Sequence, residues 1–208
     1  MEPPAPRLRD ELRRLGVDLS EERAAEAFAA EIAYYLAHHV EAGDPESLAE
    51  LRDRCAAVLR DALGIDRLDL AAVREAMLAS IRFHAFPDAA PALEELRARG
   101  LRLVAASNWD SSLPDVLERA GLARFLDGVV SSAMVGATKP AAVLFEAALR
   151  IAGVAPREAL HVGDSLDNDV RGAAALGMRA VLVARAGSRA DVPTISALTE
   201  LPRLISQW

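Results

Sequence analysis

Three aspartates and an asparagine are crowded into ten residues of the sequence, HVGDSLDNDV at 161–170, directly after the apolar pair AL. Asp167, Asn168 or Asp169 could simply cap a following helix, but Asp164 sits at the end of a predicted buried strand, where that explanation fails. Carboxylates this close together repel one another unless a cation compensates them. Mg²⁺ prefers carboxylate, water and phosphate oxygens. The stretch therefore predicts a site for a divalent cation.

Two further segments carry side chains of the types that bind phosphate. Ser107 and Asn108 follow the apolar run LRLVAA, and Lys139 precedes Pro140 in GATKPAAVLF, at a predicted helix start. A hydroxyl and an ammonium can hold phosphoryl oxygens while a divalent metal offsets their charge. Taken alone, the serine is more often a helix cap and the lysine a solvated loop residue. Together with the aspartates, in this order, they predict a site for a phosphoryl group and a metal ion.

The chain from residue 86 onwards alternates predicted helices with short apolar strands, LRLVAAS, GVVSS, ALHVGD and RAVLVA. Strict alternation of this kind predicts an α/β fold with a parallel sheet covered by helices on both faces. Ligands of such sheets bind outside the carboxyl ends of the strands. We therefore expect Ser107 and Asp164, each at a strand end, to lie at the same edge of the sheet.

The preceding part of the chain, from 18 to about 81, has the spacing of helices only. Ser20 is the predicted cap of a first helix, Asp44 and the proline after it begin a second, and Gly64 ends that second helix. A third helix is expected after Asp69. These helices predict a small all-helical unit without strands.

Composition limits the classes of partner. The chain has 208 residues, of which 52% are hydrophobic, which is enough for a sizeable core. Its net charge of -7 argues against a nucleic-acid partner and against binding to an anionic membrane surface. No apolar run of membrane-spanning length and no signal peptide is recognised, and the single cysteine, Cys55, fits a reducing compartment. We expect a cytoplasmic protein that acts on a small soluble molecule.

The segments LVAASNWD, GATKP and HVGDSLDNDVRGAAALGM resemble motifs two, three and four of the haloacid dehalogenase-like hydrolase superfamily. The resemblance covers nearly the whole chain. It implies that residues 1–85 form a helical cap and that residues 86–208 form a Rossmann-like core. The segment KPAAVLF departs from the usual KPDPxxF pattern of the family, which affects the helix start but keeps the lysine.

The resemblance also implies a role for each site residue. Ser107 and Asn108 would hold the transferred phosphoryl group, and Lys139 would neutralise the phosphate and the nucleophile. Asp164 would bind Mg²⁺ directly. The catalytic residues would be Lys139 and Asp169, and Asp169 would support either the metal shell or Lys139. Family members that cleave carbon–halogen bonds usually lack the glycine–aspartate pair of GDSLDND, so a phosphatase acting on a small phosphorylated metabolite is favoured over a dehalogenase.

One motif of the family has no counterpart in this sequence. Motif one, a strand that ends in D-x-D-G-T, carries the aspartate nucleophile and the acid–base aspartate. Asp10, Asp66 and Asp69 do not follow an apolar strand. The resemblance thus implies that the central strand, between those that end at Ser107 and Asp164, is missing, and that the chain by itself is inactive.

Three explanations of this missing motif remain open. Truncation at the amino end is favoured, because three other catalytic positions persist. The second is a pseudo-enzyme that binds a phosphorylated ligand or a protein partner without catalysis. The third, and least favoured, is a nucleophile that comes from another chain. The oligomeric state is not predicted.

Overall fold

A computed structural model describes residues 3–187 and 191–207 of the chain. The chain divides into two compact units, with the boundary between His84 and Ala85. The boundary predicted from the sequence lies one residue later, and the role of the first unit as a cap stays a prediction. Among the described residues, no helix is both long and apolar enough to cross a bilayer.

The first unit consists of helices packed around one apolar core. Its elements are α1 (Ala5–Arg14), α2 (Glu21–His38), a 3₁₀ turn (His39–Glu41), α3 (Pro45–Leu63) and α4 (Leu70–Ser80). The helices predicted after Ser20, Asp44 and Asp69 are confirmed, and each of these three side chains accepts hydrogen bonds from backbone N–H groups of the first helical turn. Gly64 ends α3 with a left-handed backbone conformation, as a glycine tolerates.

Helix α1 was not predicted from the sequence. Its surface is rich in arginine, and only Leu8 and Leu12, one helical turn apart, are completely buried within it. Such a narrow apolar stripe gives a weak periodic pattern, and the helix is stabilised by packing against α2 and α4.

The second unit is a mixed α/β structure. Its strands are β1 (Val104–Ser107), β2 (Gly128–Ser131), β3 (Leu160–Gly163), β4 (Arg179–Val183) and β5 (Thr194–Ile195). Its helices are α5 (Ala89–Ala98), α6 (Leu113–Arg119), α7 (Ser132–Val135), α8 (Ala142–Ala152), α9 (Gly172–Ala175) and α10 (Leu201–Ile205), with a π-helical segment (Leu166–Arg171) and 3₁₀ turns (Ala123–Phe125, Pro156–Glu158, Leu198–Glu200). The four predicted strands are confirmed, whereas the two-residue β5 is too short for a sequence pattern.

The strands pair only in parallel. Strand β1 pairs with β2 so that Ser107 lies opposite Ser131, β3 pairs with β4 so that Gly163 lies opposite Leu182, and β5 pairs with the end of β4. They form two separate sheets, ordered β1-β2 and β3-β4-β5. Within the part of the chain that the structure describes, no strand pairs with the other edge of β1 or of β3.

The side chains of β1 and β3 are only partly buried, as expected for strands that have one unpaired edge within the described part of the chain. None of the residues in either strand is buried, whereas Val130 in β2 and Val181 and Leu182 in β4 are. Middle strands of a parallel sheet that is covered on both faces are normally its most buried ones. The missing central strand that the resemblance implies stays a prediction.

Helices cover both faces of the sheet around β3, because successive side chains of a strand point to opposite faces. Leu160 and Val162 pack into a cluster with residues of α5, β4 and α10. His161 points the other way and meets the ring of Phe145 in α8. The predicted Rossmann-like architecture, a parallel sheet with helices on both faces, is confirmed.

Asp88 lies directly before α5 but does not cap it with its side chain, because the carboxylate instead accepts the Leu198 N–H at 2.7 Å and pairs with Arg185. One local prediction in this unit is wrong. The helix after Lys139 begins only at Ala142, because residues 138–141 form a turn first.

Hydrogen exchange can test the split sheet. In a parallel strand, alternate N–H groups face opposite edges, so β1 and β3 should show alternating fast and slow amide exchange by NMR, while Val181 and Leu182 in β4 should be protected. Slow exchange at every amide of β1 and β3 would contradict the unpaired edges.

Candidate functional site

The ammonium group of Lys139 connects the two sheets at the carboxyl ends of their strands. Its Nζ donates to the carbonyl oxygen of Ala106 in β1 at 2.9 Å and to Oδ1 of Asp169 at 2.6 Å. The side chain is 11% exposed. Because an ammonium carries three N–H donors, one remains for a ligand. Lys139 is also the only lysine of the chain, all other strong bases being arginines.

Asp169 is buried and uses both carboxylate oxygens. Oδ1 accepts hydrogen bonds from Lys139 and from His161 Nε2, the latter at 2.9 Å, and Oδ2 accepts the Ser165 N–H at 2.9 Å. Burial acts to raise the pKa of Asp169, but the hydrogen bonds from His161 and Lys139, the lysine charge and the Ser165 N–H outweigh it and hold the pKa well below its usual range. Of the two roles that the resemblance leaves open for Asp169, these contacts favour support of Lys139.

A glycine and a π-helical segment bring Asp169 to this place. A Cβ on Gly163 would lie 2.2 Å from Asp169 Cγ, so only glycine allows the carboxylate to lie against the end of β3. The sequence pattern predicts a regular helix after β3, but residues Leu166–Arg171 form a π-helix before α9 begins. π-helical turns are frequent at functional sites.

Asn108 holds the backbone of Lys139 from the end of β1. Its Oδ1 accepts the Lys139 N–H at 2.7 Å, and its Nδ2 donates to the Lys139 carbonyl oxygen at 3.2 Å. One N–H of the amide remains. The neighbouring Ser107 hydroxyl makes no hydrogen bond within residues 3–187 and 191–207. The contacts of both side chains with a phosphoryl group stay predictions.

Asp164 differs from Asp169 in its surroundings. It is exposed, and its carboxylate has no hydrogen bond or ion pair with any residue that the structure describes. The described residues contain no group of three or more His, Cys, Asp or Glu side chains placed to hold a metal ion. Because Mg²⁺ is commonly bound through one or two carboxylates plus phosphate and water oxygens, Asp164 fits as one protein ligand of an incomplete shell.

Sequence reasoning did not single out two polar residues beside the site. Ser132 Oγ accepts the Trp109 N–H and donates to the Trp109 carbonyl oxygen, both at 3.0 Å, and thereby fixes the turn after β1. His161 contacts Asp169. Ser132 directly follows β2, the strand that pairs with β1, so only the strand pairing reveals its position next to Trp109.

Comparison with known proteins places the chain in a family. The sequence profile of the haloacid dehalogenase-like hydrolases matches residues 4–177, and the chain belongs to this family. It is 44% identical over 92 residues to the haloacid dehalogenase-like hydrolase domain-containing protein 3 of Bos taurus, covering 44% of this chain and 37% of that protein. It is 44% identical over 119 residues to the phosphoserine phosphatase of Thermus thermophilus, covering 55% of this chain and 46% of that enzyme.

A solved structure agrees with the fold over a longer stretch. The haloacid dehalogenase-like phosphatase of Thermococcus onnurineus superimposes with a TM-score of 0.65 at 26% identity, covering 97% of this chain and 87% of that one. The stretches matched in the two curated relatives span less than half of the length of those proteins. The hydrolase family and its α/β fold are therefore shown.

Removing the charge of Asp169 should destabilise the protein. Asp169→Asn leaves the ammonium of Lys139 buried without its counter-charge, and the free energy of unfolding should fall by about 3 kcal/mol at pH 7 in urea titrations. The matched control is Asp164→Asn, at an exposed carboxylate that has no partner among the described residues, and it should change stability by less than about 0.5 kcal/mol.

The pH dependence of this difference follows from the lowered pKa. The folded pKa of Asp169 lies below its unfolded value of about 3.9, so its contribution is fully present above that value and is lost as the pH falls towards the folded pKa. The stability gap between wild type and Asp169→Asn should be constant from about pH 7 to pH 5 and narrow below about pH 4. A gap that widens on acidification contradicts the ion pair.

Proposed function

We propose that the chain carries the phosphate-binding and metal-binding part of a Mg²⁺-dependent phosphatase, which acts on a small phosphorylated metabolite through an aspartyl-phosphate. One observation carries this proposal: three donors remain unused at the carboxyl end of β1. They are the hydroxyl of Ser107, one amide N–H of Asn108 and one N–H of Lys139. Donors of these types stabilise the charge of a phosphoryl group when they face it.

The charges of the site support a divalent cation. Asp169 already balances Lys139, and Asp164 adds a further negative charge nearby in the chain. A phosphate ester would meet a site without net positive charge. Mg²⁺ held by Asp164, with phosphate and water oxygens completing its shell, would supply the missing positive charge and polarise the phosphoryl oxygens.

The choice of phosphate esters over haloacids rests on the same residues. Gly163 and Asp164 form the glycine–aspartate pair that a metal-dependent site needs, and a relative that matches this chain is a phosphoserine phosphatase.

A nucleophile must come from a position that the described residues do not fill. An attacking carboxylate has to be ionised, accessible and aligned with the phosphorus atom, and Asp169 is buried and fully bonded. Lys139 contacts β1 at Ala106 and contacts Asp169, which lies against the end of β3, and within the described residues each of the two strands has one unpaired edge. One strand parallel to both would end beside this lysine. We therefore infer that residues 3–187 and 191–207 alone give negligible turnover.

Adding the strand tests the proposal. A segment of three apolar residues followed by F-D-x-D-G-T-L, fused before Met1, should pair with both β1 and β3. It should raise the melting temperature and produce Mg²⁺-dependent hydrolysis on a panel of small phosphate esters, with no activity on 2-haloacids. The rise in stability follows from two new hydrogen-bonded edges and from newly buried apolar surface.

The matched control changes only the first added aspartate to asparagine. That variant should keep the higher melting temperature and lose the turnover. Mg²⁺-dependent turnover by the unextended 208-residue chain, abolished by Asp164→Asn, would show that no added nucleophile is needed. An extended protein that melts no higher and stays inert on every ester would favour a non-catalytic protein that binds a phosphorylated ligand or a protein partner.

A further inference from the structure

His161 is a polar residue held rigidly on the sheet. It lies in β3, its side chain is 12% exposed, and Phe145 of α8 meets its ring edge-on at a centroid distance of 5.0 Å. Phe145 is itself 1% exposed and packs closely on Gly172, where a Cβ would lie 2.9 Å from the phenyl ring. The imidazole therefore has little freedom to move.

The contact between His161 and Asp169 has a defined direction. An ionised carboxylate only accepts hydrogen bonds, so Nε2 of His161 carries the proton and donates it to Asp169 Oδ1 at 2.9 Å. The same oxygen accepts the N–H of Lys139 at 2.6 Å. Two donors thus meet at one oxygen atom, one from the rigid sheet and one from a long, flexible side chain.

This arrangement solves a positioning problem. The Ser165 N–H fixes only Oδ2 of Asp169, and the carboxylate could still turn about that contact. The flexible Lys139 side chain does not fix the orientation of the Asp169 carboxylate, because its own ammonium is held in place by that carboxylate. His161 is the one further donor to Oδ1 within the described residues, and it fixes the carboxylate independently of the lysine.

We propose that His161 is a positioning residue of the site. It fixes the carboxylate of Asp169, and that carboxylate together with the Ala106 carbonyl fixes the ammonium of Lys139. The third N–H of Lys139 is thereby directed to a phosphoryl oxygen. The last step rests on the proposed function, and the preceding steps do not. Groups that orient ligand-binding side chains typically contribute about tenfold to a hundredfold in affinity or activity.

Two substitutions separate the hydrogen bond from the packing. His161→Phe keeps a ring against Phe145 but removes the donor. His161→Gln places an amide N–H near the position of Nε2 and restores a donor. Both are made in the full chain, together with Asp169→Asn, and thermal unfolding is recorded for each. A role in packing alone would tolerate Phe better than Gln, whereas the positioning role has the opposite order.

The readout is the NMR signal of the Lys139 ammonium group. Because Lys139 is the only lysine, ¹⁵N-lysine labelling gives a single side-chain signal to follow. We expect a slowly exchanging ammonium in the wild type, a large shift or loss of the signal in His161→Phe and Asp169→Asn, and retention in His161→Gln. With Mg²⁺ present, the affinity for inorganic phosphate should fall about tenfold in His161→Phe and remain within about twofold in His161→Gln.

Results that differ from this pattern contradict either the positioning role of His161 or the proposed phosphate site. An unchanged ammonium signal in His161→Phe, or a wild-type chain without a slowly exchanging ammonium, overturns the positioning role. Equal loss in the Phe and Gln variants together with lowered thermal stability assigns His161 to packing and also overturns it. The expected ammonium pattern without any phosphate binding supports the contact from His161 to Lys139 and rejects the phosphate site of the proposed function.

Discussion

The ammonium of Lys139 is the contact on which the site depends. It bonds the end of β1 through Ala106 and the end of β3 through Asp169, although the two strands share no hydrogen-bonded pairing. Its charge is nearly removed from water and has one carboxylate as counter-charge. Breaking such a pair leaves an uncompensated buried charge, so lysine and aspartate constrain each other. A chain that uses arginine at every other strongly basic position has lysine here, where a compact ammonium with three donors is needed.

The surrounding elements fix this contact from several sides. Asn108 holds the Lys139 backbone, Gly163 lets Asp169 approach β3, and the π-helical segment turns Asp169 back towards the sheet. Within the described residues, β1 and β3 each have one unpaired edge, and Lys139 contacts β1 directly and the end of β3 through Asp169. Asp164, which has no partner among the residues that the structure describes, is near Asp169 in the sequence. In the proposed function, the unused donors at the carboxyl end of β1 and the carboxylate of Asp164 would bind a phosphoryl group together with a divalent cation.

Much of this architecture could be predicted from local chemistry. Ser20, Asp44 and Asp69 cap helices because their side chains reach backbone N–H groups a few residues away, which requires no knowledge of the tertiary fold. The four main strands follow from apolar runs bounded by turns. The motifs around Ser107, Lys139 and Asp164 sufficed for the family, which the match over residues 4–177 confirms.

The remaining features depend on contacts between distant parts of the chain. The contact between Asp169 and Lys139 depends on how the chain folds, and a sequence pattern does not contain that information. His161 was overlooked because a histidine in an apolar strand is usually a core residue, and only its place opposite Phe145 and beside Asp169 distinguishes it. Helix α1 has two buried leucines in an arginine-rich run, so its pattern was too weak. Lys139 is the only lysine in the sequence, and this fact, which the composition alone provides, supports its prediction as a site residue.

The most direct test of the phosphate site is a crystal structure of the full chain with tungstate and Mg²⁺, in which anomalous scattering locates the phosphate analogue. We expect a peak within hydrogen-bonding distance of Lys139 Nζ and of the Ser107 hydroxyl, with the Lys139–Asp169 pair intact. A crystal with saturating tungstate and no peak at these two groups would contradict the phosphate site.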